Sequence, residues 1–193
     1  MKRRIALCIA VSLCAGVYAG NNPGIYKKGW IDFNKNGVKD IYEDPSAPIE
    51  ARVQDLLSQM TLEEKTCQMA TLYGSGRVLK DSLPTEKWKD EIWKDGIANI
   101  DEQANGSSLS YPYVNSVENR QTIQRWFVEQ TRLGIPVDFT NEGIRGLCHD
   151  RATMFPAQCG QGATWNKELI SEIAQVTAEE AKALGYTNIY SPI

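Results

Sequence analysis

Apolar residues recur at helical spacing in several stretches of the chain, with turn-rich segments between them. Ile49, Val53, Leu56, Leu57 and Met60 fall at i, i+4, i+7, i+8 and i+11, the stripe of an amphipathic helix initiated at Asp44-Pro45-Ser46. Thr61-Leu-Glu-Glu64 is a capping box that opens a second helix, with Cys67, Met69, Ala70 and Leu72 available for burial. Gly74-Ser-Gly-Arg77 breaks it, and that stretch lacks the Lys and Ser/Thr of a phosphate loop. Asn115 or Ser116 caps a helix reaching Arg132, with Ile123, Trp126 and Phe127 on its apolar side and Gly134 as its stop. Asn166 caps a further helix to Leu184, with Leu169, Ile170, Ile173, Val176 and Ala181 facing inward and Gly185 just past its end.

Two stretches alternate as strands instead. One runs from Ile135 to about Phe139 and the other spans 186–192, so strand, enlarged loop, helix and strand form a βαβ unit. The predicted class is α/β. In such folds the side chains just past the C-terminal end of a parallel strand face the ligand, which puts Glu142 at the mouth of a site. The loop that follows contains the single histidine, His149, beside Asp150. With no second histidine at metal-ligand spacing, it reads as a hydrogen-bonded loop residue. Cys67 reads as core, having no base nearby in sequence. Residues 78–114 carry the aromatics Trp88, Trp93, Tyr111 and Tyr113; Trp88 and Trp93 could stack on a ring-shaped ligand but read as packing.

The amino terminus changes the picture of where the chain works. Met1-Lys-Arg-Arg4, an apolar run over 5–17 and Val17-Tyr-Ala19 have the form of a secretory signal cleaved after Ala19, too short to span a bilayer. The expected location is therefore periplasmic or extracellular. Cleavage removes Lys2, Arg3 and Arg4 and no acid, so the net charge of −3 becomes about −6. That balance argues against nucleic acid or an anionic membrane surface as partner. Of the five cysteines, Cys67, Cys148 and Cys159 remain; these make no disulfide scaffold, although Cys148 and Cys159 are the nearest pair for one bridge.

Within the extension 20–45, Asp32, Asn34, Asn36, Gly37 and Glu43 match the calcium-loop pattern D-x-[DN]-x-[DN]-G-x5-E. The spacing brings oxygens from Asp32, Asn34 and Asn36 to one cation. Gly37 permits the sharp turn, the Val38 carbonyl adds a ligand, Asp40 takes the position often bridged by water, and Glu43 closes the shell. Pro23, Gly24 and Gly29 preclude the helix that precedes a paired sensor loop, so the expected Ca²⁺ is structural. The competing reading is an Asn/Gly turn with solvated acids.

In chain order, Met60-Thr-Leu-Glu-Glu-Lys65, Arg132-Leu-Gly-Ile-Pro136, Asn141-Glu142 to Gly146, Thr153-Met-Phe-Pro156, Ala163-Thr-Trp-Asn166 and the segment 179–192 resemble the amino-terminal part of a glycoside hydrolase family 3 enzyme of the β-glucosidase type. The resemblance implies a (β/α)8 TIM-like barrel whose first part occupies 46–193, preceded by helical segments and a loop. It further implies an exo-acting retaining glycosidase that needs no cofactor for catalysis and takes a glycoside as its partner. Glu142 falls where the family commonly has an Asp that binds hydroxyls of the terminal sugar, and Arg145 where many members have His. The family's nucleophile and acid/base fall outside this chain, so the isolated polypeptide is expected to be inactive. The rivals are β-xylosidase, α-arabinofuranosidase and β-N-acetylhexosaminidase or, in another class, a calcium-stabilised carbohydrate-binding module.

Overall fold

The computed structural model describes residues 24–73, 83–91, 93–101 and 113–191. The signal segment, Gly74–Arg77, Asn105-Gly106 and Tyr111 lie outside them. The chain starts as an antiparallel pair, β1 (Tyr26–Lys27) and β2 (Trp30–Ile31), followed by the loop over 32–40 and a 3-10 turn over Ile41–Glu43. Then come α1 (Ile49–Gln59), α2 (Leu62–Cys67), β3 (Thr71–Tyr73), β4 (Asn99–Asp101) and α3 (Tyr113–Gln130). The chain continues through β5 (Asp138–Glu142), α4 (Gln158–Gly162), α5 (Lys167–Ala183) and β6 (Asn188–Tyr190).

Strands β3, β4, β5 and β6 form one parallel sheet in sequential order, each new strand added on the same side of the last. The α/β class and the β5–α5–β6 unit match the sequence reading, whereas β3 and β4 correct it. Leu72 belongs to a strand and not to the second helix, and a strand occupies Asn99–Asp101 where only turns were expected. Further corrections concern boundaries. α3 begins at Tyr113 and ends at Gln130, so Asn115 and Ser116 lie inside its first turn, and β5 runs three residues further than expected, ending on Glu142 itself.

The core sits between α3 and the sheet. Trp88 and Trp93 are fully buried and stacked at 5.2 Å, and Phe127 meets Trp93 edge-on at 5.4 Å. Both indoles are packing residues, as their sequence context suggested. Ile123, Trp126 and Phe127 face inward as the α3 stripe required. Gln124 pairs its side-chain amide with the backbone of Val137 in both directions, 2.8 Å each way, so α3 guides the chain into β5 as a neighbouring strand would. The α1 stripe is a partial miss: Leu56 and Met60 are half-buried, but Ile49 is 78% exposed. On α5, Ala181 is buried while Leu169, Ile170 and Val176 each remain 38% exposed, because the helix packs on the sheet near β6 through its last turns.

Two polar devices fix the sheet. The capping box at Thr61 is present, with Glu64 N–H donating to Thr61 Oγ1 at 3.2 Å and Thr61 N–H to Glu64 Oε2 at 2.9 Å. Glu64 is 5% exposed and also accepts from Arg132 Nε at 2.9 Å and from an Arg132 terminal nitrogen, while Arg132 donates to Gln59 O at 2.7 Å. At the N-terminal edge of the sheet Asp138 accepts from Asn99 Nδ2 at 3.0 Å, Asn188 Nδ2 at 3.3 Å and the Thr187 hydroxyl, joining β4, β5 and the entry to β6.

Replacing Glu64 with Ala removes half of a capping box and leaves Arg132 without its carboxylate partner. A destabilisation of about 2–4 kcal/mol is expected from urea unfolding, tempered by the half-exposed Arg132 side chain. A loss under about 0.5 kcal/mol would show that the pair contributes only surface charge.

Candidate functional site at the C-terminal end of the sheet

Register places the ends of three strands on one face. Glu142 pairs with Tyr190 of β6, and Thr140 with Asp101, the last residue of β4. In parallel α/β sheets this end is where ligands bind. Glu142 is half-buried, and among the described residues its carboxylate takes no hydrogen bond from the protein. It lines a cavity of about 480 Å³ together with Ile144, Arg145, Leu147, His149 and Asp150. An acid that is partly desolvated and still has acceptor capacity can take two hydroxyl hydrogen bonds at once, and charge-assisted bonds are the stronger kind.

What aims this carboxylate is the residue before it. Asn141 is fully buried; its Oδ1 accepts the Glu142 N–H at 2.8 Å and its Nδ2 donates to Cys148 O at 2.9 Å. Cys148 N–H in turn donates to Glu142 O at 2.8 Å, so the loop after β5 closes back on the strand end. Gly143 is obligatory here: a Cβ would lie 2.5 Å from an Ile189 methyl and 2.8 Å from Ser191 Cβ. Behind Asn141 stands Tyr186, whose ring carries the Arg120 guanidinium 4.1 Å from its centroid. Arg120 is 1% exposed and donates to Leu184 O at 2.8 Å and Tyr186 Oη at 3.2 Å.

His149 is buried, its ring 6.4 Å from that of Tyr186, and Nδ1 accepts the Arg151 N–H at 3.2 Å beside Asp150 Oδ1 at 3.2 Å. It is the hydrogen-bonded loop residue the sequence suggested, held neutral at pH 7 because burial pushes its pKa down; Arg120 adds to that and Asp150 opposes it. Cys67, Cys148 and Cys159 are free thiols, so the Cys148–Cys159 pair raised by sequence is not bridged.

Glu142 ends β5 at the sheet end where the sequence put it, whereas no role was read for Asn141, and Asp101 and Arg120 were not singled out. Asp101 is 2% exposed at the same sheet end and could be found only by recognising β4. Asp32, Asn34, Asn36, Val38, Asp40 and Glu43, the expected calcium loop, lie around one hydrogen-bonded turn, remote in sequence from this site. Among the described residues no three Asp, Glu, His or Cys side chains converge closely enough to hold an ion by themselves.

A sequentially ordered parallel sheet with helices between its strands defines the α/β class. Residues 61–193 match the glycosyl hydrolase family 3 N-terminal domain, and the chain belongs to that family. It is 28% identical over 155 residues to β-glucosidase C of Emericella nidulans, covering 75% of this chain and 24% of that protein. A periplasmic β-glucosidase/β-xylosidase of Dickeya chrysanthemi is 27% identical over 183 residues, 83% of this chain and 26% of the relative. The crystal structure of a Listeria innocua β-glucosidase in complex with isofagomine superposes with a TM-score of 0.55 at 31% identity, over 75% of this chain and 18% of that one. The chain thus spans about a quarter or less of the lengths of these relatives.

Two outcomes follow from the geometry. Asn141→Ala strands a buried N–H and C=O, and a loss of about 1–3 kcal/mol is expected from chemical denaturation. Because the folded pKa of His149 lies below its ordinary 6.5, its contribution to stability is fully present above pH 6.5 and is lost as pH falls through the lowered value. Melting curves across that window should flatten in His149→Gln relative to the parent, and parallel curves would remove the assignment.

Proposed function

We propose that the chain is the sugar-binding first portion of an exported exo-acting glycoside hydrolase that cleaves terminal β-linked glucosyl or xylosyl residues with retention of configuration. The observation that carries this reading is Glu142, ending β5 at a cavity with its carboxylate unspent on the protein, in a chain that belongs to glycosyl hydrolase family 3. The sequential order of β3–β6 supports the opening strands of a (β/α)8 barrel, in which each strand is added in turn without reversal. Relatives named as β-glucosidase and β-glucosidase/β-xylosidase support the choice of sugars over arabinofuranosides and N-acetylhexosaminides. The basic, apolar and small-residue pattern of 1–19 and a periplasmic relative support export; among the described residues no helix is long and apolar enough to cross a membrane.

In this reading Glu142 accepts hydrogen bonds from two hydroxyls of the non-reducing terminal sugar and fixes its ring. Asn141 and the loop over 143–149 hold that acid in place. Retaining hydrolysis needs a pair of carboxyl groups about 5–5.5 Å apart, one to attack and one to deliver the proton. Glu142 is assigned to neither task, so the bond-breaking pair comes from polypeptide beyond these residues.

The test uses the full-length polypeptide carrying this segment and chromogenic aryl β-D-glucopyranoside and β-D-xylopyranoside. Glu142→Gln keeps the shape and removes the charge, and kcat/KM should fall by about 10²-fold, equivalent to about 2–3 kcal/mol. Unchanged kinetics would sink the binding role. Release of aryl alcohol by residues 20–193 alone would sink the division of labour.

A further inference from the structure

We propose that the loop from Asp32 to Glu43 binds one Ca²⁺ and locks the junction between the amino-terminal extension and the end of α3. The loop turns sharply through Lys35 (φ 61°) and Gly37 (φ 81°), and its acid and amide side chains hydrogen-bond back onto the loop. Asp32 Oδ2 accepts the Gly37 N–H at 3.0 Å, Asn34 Oδ1 that of Asn36 at 3.2 Å, and Asn36 Oδ1 that of Val38 at 2.7 Å. Asp40 Oδ2 gathers the Asn34 and Asn36 amides at 2.6 and 2.8 Å. Glu43, 2% exposed, accepts N–H groups of Phe33 and Asp40 at 2.6 and 3.1 Å.

One oxygen does not fit a purely hydrogen-bonded turn. Asp32 is 3% exposed and its Oδ1 has no hydrogen-bond partner, although Oδ2 of the same carboxylate faces the loop interior. Burying half of a carboxylate without a donor is costly, and a cation in the loop satisfies it. The loop's two lysines do not supply that charge by direct contact. Lys35 Nζ donates to Phe33 O, Val128 O and Thr131 O at 2.5, 2.9 and 2.6 Å, and Lys39 pairs with Asp44 at 2.9 Å.

The chemistry of the donors selects the ion. Carboxylate, amide and carbonyl oxygens with no nitrogen or sulfur suit a hard cation, and this flexible arrangement suits Ca²⁺ over the smaller, strictly octahedral Mg²⁺. Because the carboxylates alone do not converge, the ligand set includes Asn34 Oδ1, Asn36 Oδ1 and the Val38 carbonyl, each oxygen retaining a second lone pair. The loop follows the β1–β2 ribbon and no helix, so the ion is structural. Its position explains what it would steady. Lys35 ties the loop to the last carbonyls of α3, and Gly134 lies against Phe33, where a Cβ would meet Phe33 O at 2.7 Å.

This proposal is independent of the sugar-binding role and is tested on the full chain after chelator treatment, by calorimetric titration with CaCl2 and by melting with and without excess EGTA. One site with a Kd of about 10⁻⁴–10⁻³ M is expected, with a melting temperature about 3 °C or more higher at tenfold excess over Kd. MgCl2 at the same concentration should give less than half the shift. Asp32→Asn retains the acceptor for Gly37 and should fold, while weakening Ca²⁺ binding at least tenfold. Identical melting curves with and without Ca²⁺, or equal affinity in Asp32→Asn, would overturn the proposal.

Discussion

A single buried carboxylate holds the lower half of this structure together. Glu64 closes the capping box of α2 and accepts the guanidinium of Arg132, which also reaches the last carbonyl of α1. The start of α2, the end of α1 and the approach to β5 therefore meet at one side chain. From Arg132 only a short, constrained run leads to Asp138, and Gly134 (φ 58°) within it packs directly on Phe33 and Val128. The register of β5 against β4, and with it the position of Glu142, follows from where this run is pinned.

α2 and α5 were legible in the sequence because their caps are local signals. Thr61 and Asn166 cap where expected, and Gly185 (φ 83°) follows α5 where expected. β3 and β4 were not legible. Each has three residues; Leu72 continues an apolar pattern begun in α2, and Asn99-Ile100-Asp101 offers a single apolar side chain. All three residues of β4 are buried because its neighbours lie on both sides, and Asn99 Nδ2 donates across the sheet to Thr140 and Asp138. That information is tertiary, and no window of sequence contains it.

The site was legible only at its tip. Glu142 was placed by the rule that strand ends face ligands, which needs only one strand to be recognised. Its supports were hidden. Arg120 falls on the same helical stripe as Ile123 and Phe127, yet a guanidinium is normally read as solvent-facing. Tyr186 turns that expectation around, because its ring face and hydroxyl together give the buried cation a partner.

The sheet's two ends carry different duties. Asn99, Asp138, Thr187 and Asn188 cross-link the strands where they begin, while Glu142 stands where they finish. Alignment of the strands is thereby secured at the end opposite Glu142. The loop that follows is bound back to the strand end through Cys148 and Asn141, so the acid's position depends on that loop and not on the cross-links at the opposite end.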